Sequence, residues 1–166
     1  MGPRQIADEV LEAIVDALRR VSAEFDRWGE PYVRGPGLYF LIVDGTATDY
    51  SDPMGNNRWP VERCATVTDD LDRFVDTAKS VGTTCDGAVV VHSDGRIQPQ
   101  MVRLHDLRGD TGEHDGPGVT YEDWMGTRHM SAVEASVRPN VVATATLSEE
   151  DGRVSVFVDG AIRTTG

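Results

Sequence analysis

The sequence predicts a single α/β domain of α+β style, with a central mixed, largely antiparallel twisted sheet flanked by helices. Three observations carry this. Apolar residues recur at steps of three and four near the N-terminus and again after Asp70, the period of helices lying on a core. Short apolar runs rich in Val, Ile and Leu, bounded by Gly- and Asp-containing turns, read as strands and hairpins. A length of 166 residues suits one core covered on two sides, so residues 1–166 are taken as one unit with no separate effector module.

The elements follow in order. Within residues 1–28, Ile6, Val10, Ile14, Leu18, Val21, Phe25 and Trp28 form one helical face, widened by Leu11 and Val15. Gly29 to Gly37 holds two prolines and three glycines, a stop followed by a turn. Leu38 to Asp44 is nearly all apolar and reads as a strand buried on both faces. Gly45 to Arg63 is polar and rich in Asp, Asn, Gly and Pro, and is expected to be a long surface loop. Asp44, just before it, and its acids Asp49 and Asp52 lack the spacing of an EF-hand loop. Thr68 is a plausible cap for a second helix through Lys79 that buries Leu71, Phe74, Val75 and Ala78. Ala88–His92 and Arg96–Leu104 flank the turn Ser93-Asp94-Gly95 as a hairpin. Arg108–Gly118 is a second Gly- and Asp-rich loop. A short helix from Gly126 to Ser136 turns Ala132 and Val133 inward. Val141–Leu147, Arg153–Val158 and Ala161–Arg163 complete the strands, and no internal repeat is present.

Composition narrows the function classes. There are 28 acids and 16 bases, a net charge of −12, and Lys79 is the one lysine. Fifteen acids and nine bases lie up to Ser80, thirteen and seven beyond it, so each half carries −6 and the whole surface is acidic. Asp outnumbers Glu and Arg has displaced Lys, the pattern expected of a protein in concentrated salt, where screening over about 3 Å at 1 M removes most self-repulsion. An ordinary acidic surface is the alternative. No basic stripe exists to displace counterions, which disfavours nucleic acid as a partner. The longest apolar run is too short for a membrane span and no signal peptide is evident, so a cytoplasmic protein without a membrane partner is expected. Cys64 and Cys85 have neither metal nor disulfide spacing and read as small buried fillers.

Three short strings in the second half carry chemistry. Asp86-Gly87-Ala88 enters a strand with a carboxylate followed by two residues with little side chain, which lets a nucleotide approach the backbone while the acid reaches a metal or a ribose hydroxyl. Taken alone it is more often a simple turn before a strand. Gly126-Thr127-Arg128-His129 opens a helix and offers backbone N–H groups, a hydroxyl, a guanidinium fork and an imidazole to one anion. The competing reading makes Thr127 a cap, Arg128 a surface charge and His129 a half-buried ring. Ser148-Glu149-Glu150 closes a strand with a hydroxyl beside acids, and is otherwise a polar turn.

In this order, with these intervening strands, the strings resemble the diadenylate cyclase domain family, which condenses two ATP into cyclic di-AMP; the acidic surface adds the expectation of a halophilic archaeal member. The resemblance runs from about Cys85 to Thr164, the motif-bearing half within residues 85–164, and is looser before it, through the first helix and the Gly35-Pro36-Gly37-Leu38-Tyr39 strand. It implies catalytic roles for Asp86, Arg128 and His129, and nucleotide contacts from Gly87, Ala88, Leu104, Gly126, Thr127 and Ser148. It also implies a Mg²⁺ or Mn²⁺ ion held by Asp86 and Glu149. ATP would be the substrate, and two sites would have to face each other in a homodimer or higher homo-oligomer. Three departures stand out: Met130 replaces a second family arginine, Cys85 stands where some members carry histidine, and Arg108–Trp124 is long. A catalytically weak homologue that binds ATP or cyclic di-AMP is the alternative, and a partner-binding domain whose strings are only turns and caps is a third reading.

Overall fold

The computed structural model describes residues 2–106 and 119–165. The elements are α1 (Pro3–Glu24), β1 (Leu38–Val43), a 3-10 turn (Thr48–Tyr50), β2 (Ser51–Arg58), α2 (Leu71–Thr84), β3 (Val89–His92), β4 (Gln100–Leu104), α3 (Thr127–Ala135), β5 (Val141–Leu147), β6 (Val154–Val158) and β7 (Ala161–Thr165). Five strands form a mixed sheet in the order β3-β1-β5-β6-β7. Among the described residues β1 and β3 run parallel, and the other neighbours in this sheet are antiparallel. A parallel pair needs a long crossover, and α2 lies in that connection.

Strand β1 is buried at every position because both faces of the sheet are covered. Leu38, Phe40 and Ile42 pack with Val10, Ile14, Leu18 and Val21 of α1 and Phe74, Val75 and Ala78 of α2. Leu41 and Val43 pack on the opposite face with Ala132 and Val133 of α3. At the centre of the first layer the rings of Phe40, Trp59 and Phe74 meet with centroids 5.5 to 5.9 Å apart. Trp59 Nε1 donates to the Cys64 carbonyl at 2.8 Å, which satisfies the one polar atom of a fully buried ring. Truncating such a residue costs about 3–5 kcal/mol.

Several expectations are corrected. Residues 45–63 are not one loop: Ser51–Arg58 is a strand paired antiparallel with β4 in a separate two-stranded sheet. Its face is polar and largely exposed, so it carries no apolar alternation to mark it. The second helix is capped by Asp70, whose side chain accepts from the Arg73 N–H, and it runs on to Thr84; Leu71 at its start is exposed. Helix α1 ends at Glu24, so Phe25 and Trp28 pack edge to face beyond it, 4.5 Å apart. The expected hairpin after Gly87 forms only as bridges at Ala88–Val102 and Val91–Ile97, and thereby joins the two sheets. Cys64 is buried, whereas Cys85 is only partly so. The expected loop Arg108–Gly118 lies outside the described residues.

Candidate active site

The first string sits where α2 gives way to β3. Cys85 caps α2 with its N–H on the Val81 carbonyl, and Gly87 turns the chain with φ of +103°, a region glycine reaches without strain. A side chain at Gly87 would also press on Met54 and on the Val102 carbonyl. Ala88 and Val102 then exchange backbone hydrogen bonds of 2.8 and 3.0 Å. Asp86 is thereby thrown outward, its side chain 75% exposed. The Gly87 N–H donates to Asp86 Oδ1 at 2.9 Å, and no hydrogen bond reaches Oδ2 among the described residues.

The second string opens α3. Gly126 holds the cap position in extended conformation without a side-chain cap, so Thr127 is the first helical residue and not the cap. The first intrahelical bond is from Met130 N–H to the Gly126 carbonyl, at 3.0 Å. Among the described residues the N–H groups of the first turn are therefore left for another acceptor, at the end where the helix dipole favours anions. Arg128 extends over Gly37, where any Cβ would run into the guanidinium, and its Nη2 lies 3.9 Å from Asp86 Oδ1. His129 is buried with its ring edge-on to Trp124, 5.1 Å between centroids, and to Phe157 at 6.5 Å. Its Nε2 has no hydrogen-bond partner among the described residues. Burial first, and Arg128 beside it second, push its pKa below the ordinary imidazole value, so the ring is neutral near pH 7.

The third string is the turn between β5 and β6, which the first half of the chain holds in place. Gly152, with φ of +74°, is packed so closely on Ser22 and Trp28 that no Cβ fits. Its carbonyl accepts from Ser22 Oγ at 2.7 Å, and the Ser22 carbonyl accepts from Trp28 Nε1 at 2.8 Å. The Glu149 carbonyl accepts the Gly35 N–H at 2.9 Å. Arg34 reaches Glu149 Oε1 at 3.3 Å, an exposed pair that contributes little to stability.

These three strings, far apart in sequence, border one open cleft of about 960 Å³. Asp86, Gly87, Ala88, Leu104, Gly126, Thr127, Arg128, His129, Ser148 and Glu149 all line it. Met54, Val102, Leu104, Trp124, Met125 and Met130 supply apolar wall, and six acids face three arginines. No three His, Cys, Asp or Glu side chains cluster into a cation cage among the described residues. The donor set nonetheless fits a Mg²⁺- or Mn²⁺-type ion, which uses one or two carboxylates, water and substrate phosphate instead of an all-protein cage. Asp86, with a free carboxylate oxygen, and Glu149 are the groups that would hold it.

Four contributors are not evident in the three strings. Asn57 Oδ1 accepts the Asp86 N–H at 2.8 Å. Gly37 gives Arg128 its bed. Trp124 and Arg153 stack, with the guanidinium carbon 4.2 Å from the ring centroid. The Gly-Pro-Gly run before β1 was a signal for Gly37; Asn57, Trp124 and Arg153 depend on tertiary neighbours that no local pattern displays.

No family model matches the chain, and no curated protein matches it in sequence. Solved structures do match in fold. A hypothetical membrane spanning protein from Bacillus cereus superposes with a TM-score of 0.60 at 19% identity, over 95% of this chain and 64% of its own. A double mutant of DacA from Staphylococcus aureus superposes with a TM-score of 0.51 at 19% identity, over 94% of this chain and 85% of its own. The chain thus spans under two thirds of the Bacillus cereus protein. Among the described residues, no helix is long and apolar enough to cross a membrane.

Proposed function

We propose that this chain is a diadenylate cyclase domain that joins two ATP into cyclic di-AMP and two pyrophosphates across a face-to-face dimer. The observation that carries the reading is the convergence of the three strings on one cleft, with Arg128 at 3.9 Å from Asp86. The shared fold with DacA, a diadenylate cyclase, supports it.

In this reading the triphosphate lies against the open N-terminus of α3, where free N–H groups, Thr127 and Arg128 meet one anion. Ala88 and Gly87 let the nucleotide lie close to the backbone, Leu104 packs on the base, and Ser148 donates to phosphate. The 3′-hydroxyl of each nucleotide attacks the α-phosphorus of the other. A bond forms from the 3′-oxygen to phosphorus, the bond to the β-phosphate bridging oxygen breaks, and pyrophosphate leaves with that electron pair. Asp86 orients the attacking hydroxyl and accepts its proton, while Arg128 offsets charge on the phosphates. Neutral His129, its Nε2 unsatisfied, accepts or donates one hydrogen bond without adding charge. Asp86 and Glu149 would hold a divalent ion, and that ion would supply charge neutralisation at the phosphates, which an acidic cleft requires. One cleft holds one nucleotide, so catalysis needs a second copy.

Exposed Met130 on the cleft rim, where the family places arginine, favours a second reading: a domain that binds ATP or cyclic di-AMP with weak or no turnover. Thermal denaturation with ATP and Mn²⁺ tests the shared premise. A ligand at 100 times its dissociation constant adds about 2.7 kcal/mol to stability, and this gain should vanish in Arg128→Ala. No stabilisation of the parent protein would remove both readings and leave a partner-binding domain.

A further inference from the structure

The backbone that carries the Asp86 carboxylate is hydrogen-bonded to a segment that reads, in sequence, as a polar loop. Asp86 follows the end of α2 and precedes a glycine with positive φ; its Oδ1 accepts the Gly87 N–H at 2.9 Å and lies 3.9 Å from Arg128 Nη2, while its own backbone N–H is held from another element. Its backbone N–H donates to Asn57 Oδ1 at 2.8 Å. The other half of the same amide, Asn57 Nδ2, donates to the Met54 carbonyl at 2.8 Å, which locks the amide's orientation. The Asn57 carbonyl in turn accepts from Gln100 Nε2 at 3.2 Å, and that nitrogen also contacts the carbonyls of Gly55 and Met101 at 3.1 Å. Gln98 Nε2 donates to the Gln100 carbonyl at 2.8 Å. Met54, in the same strand, packs over Gly87 and lines the cleft. The chain has therefore built a clamp from amides alone around the entry to β3. It fixes the Asp86 backbone while leaving Oδ2 free.

We infer that Asn57 is a positioning residue for Asp86, fixing the backbone from which the carboxylate, oriented with the Gly87 N–H, faces a divalent cation. The inference deepens the proposed function and rests on Asp86 being the metal-facing acid. Groups behind a metal ligand typically change affinity or activity by about 10- to 100-fold when removed. A carboxamide suits the task because it accepts and donates at once and has no charge to compete with Asp86 for the cation.

The test uses the folded full chain and Mn²⁺ alone as probe. Amide hydrogen exchange at Asp86 is read by nitrogen-edited NMR without metal, Mn²⁺ affinity by the EPR signal of the free ion, and folding by thermal denaturation. Asn57→Leu should leave the chain folded, speed exchange of the Asp86 amide about tenfold, as the loss of one hydrogen bond implies, and weaken Mn²⁺ binding about 10- to 100-fold. Asn57→Asp, which keeps the acceptor, should retain slow exchange. A merely structural role would lower the melting temperature without acting on Asp86, so unchanged exchange in Asn57→Leu overturns the inference. So does Mn²⁺ affinity within twofold of the parent once the amide is freed, and so does a parent that binds no Mn²⁺. Should the parent make no cyclic di-AMP while Asp86→Asn and Asn57→Leu both lose Mn²⁺, the cyclase reading falls and the positioning role stands.

Discussion

At the scale of the residue, the site is built from side chains placed against their usual preferences. His129 is an imidazole buried beside a guanidinium, with its pKa pushed down, so the unfolded chain takes up a proton at this ring more readily than the folded one. Its contribution to stability is therefore complete above about pH 6.5, the ordinary imidazole value, and declines as pH falls through that value toward the folded-state pKa. His129→Gln should flatten this part of the stability profile below about pH 6.5, read as melting temperature against pH for both proteins. Superimposable acid limbs would contradict the burial described for the ring. Met130, exposed on the same helix, is the other anomaly. Met130→Arg adds a cation beside Arg128 and should maintain or tighten ATP binding by calorimetry; clear weakening would mean that the rim has a geometry unlike the one assigned to it.

At the scale of the element, the contribution of the first half of the chain is to hold the second half's strings in place. The segment before β1 lies under Arg128 and under the 148–152 turn, and Gly37 is the point of closest approach. A Cβ there would meet the far end of the Arg128 side chain and, less closely, the Cβ of Glu149 at 3.1 Å, so Gly37→Ala should cost about 1 kcal/mol of stability. The displaced guanidinium should lose ATP affinity about tenfold, the scale of one charge-assisted hydrogen bond. Titration of the variant with ATP checks this, and an unaltered affinity would show that Arg128 does not need that bed. Strand β1, helix α3 and the β5–β6 pair were legible because their apolar residues recur at the period of the element and their ends carry Gly or Asp. The three site strings were legible because each keeps its chemistry within a few residues. Strand β2 was not: Ser51, Asp52, Pro53, Gly55 and Asn56 carry no apolar alternation, and the segment is a strand only because β4 offers it a ladder. Asn57 was hidden for the same reason, since its partner at Asp86 lies across the junction of the two sheets.

At the scale of the whole molecule, a net charge of −12 opposes both compactness and the approach of a polyanion. Raising KCl shortens the screening length from about 10 Å at 0.1 M to about 3 Å at 1 M, so distant repulsion fades while contacts at Arg128 persist. Melting temperature should climb steadily from 0.1 M toward molar KCl, over about this range, and a flat or falling profile would argue against adaptation to concentrated salt. The same screening lets two acidic copies meet face to face, which the proposed chemistry requires. The most direct measurement is to incubate the purified protein with ATP and Mn²⁺ in molar KCl and quantify cyclic di-AMP by chromatography with mass detection, beside a folded Asp86→Asn variant. Product from the parent and none from the variant is the predicted result; ATP binding without product in the parent, or equal product from both proteins, would contradict the mechanism assigned to this cleft.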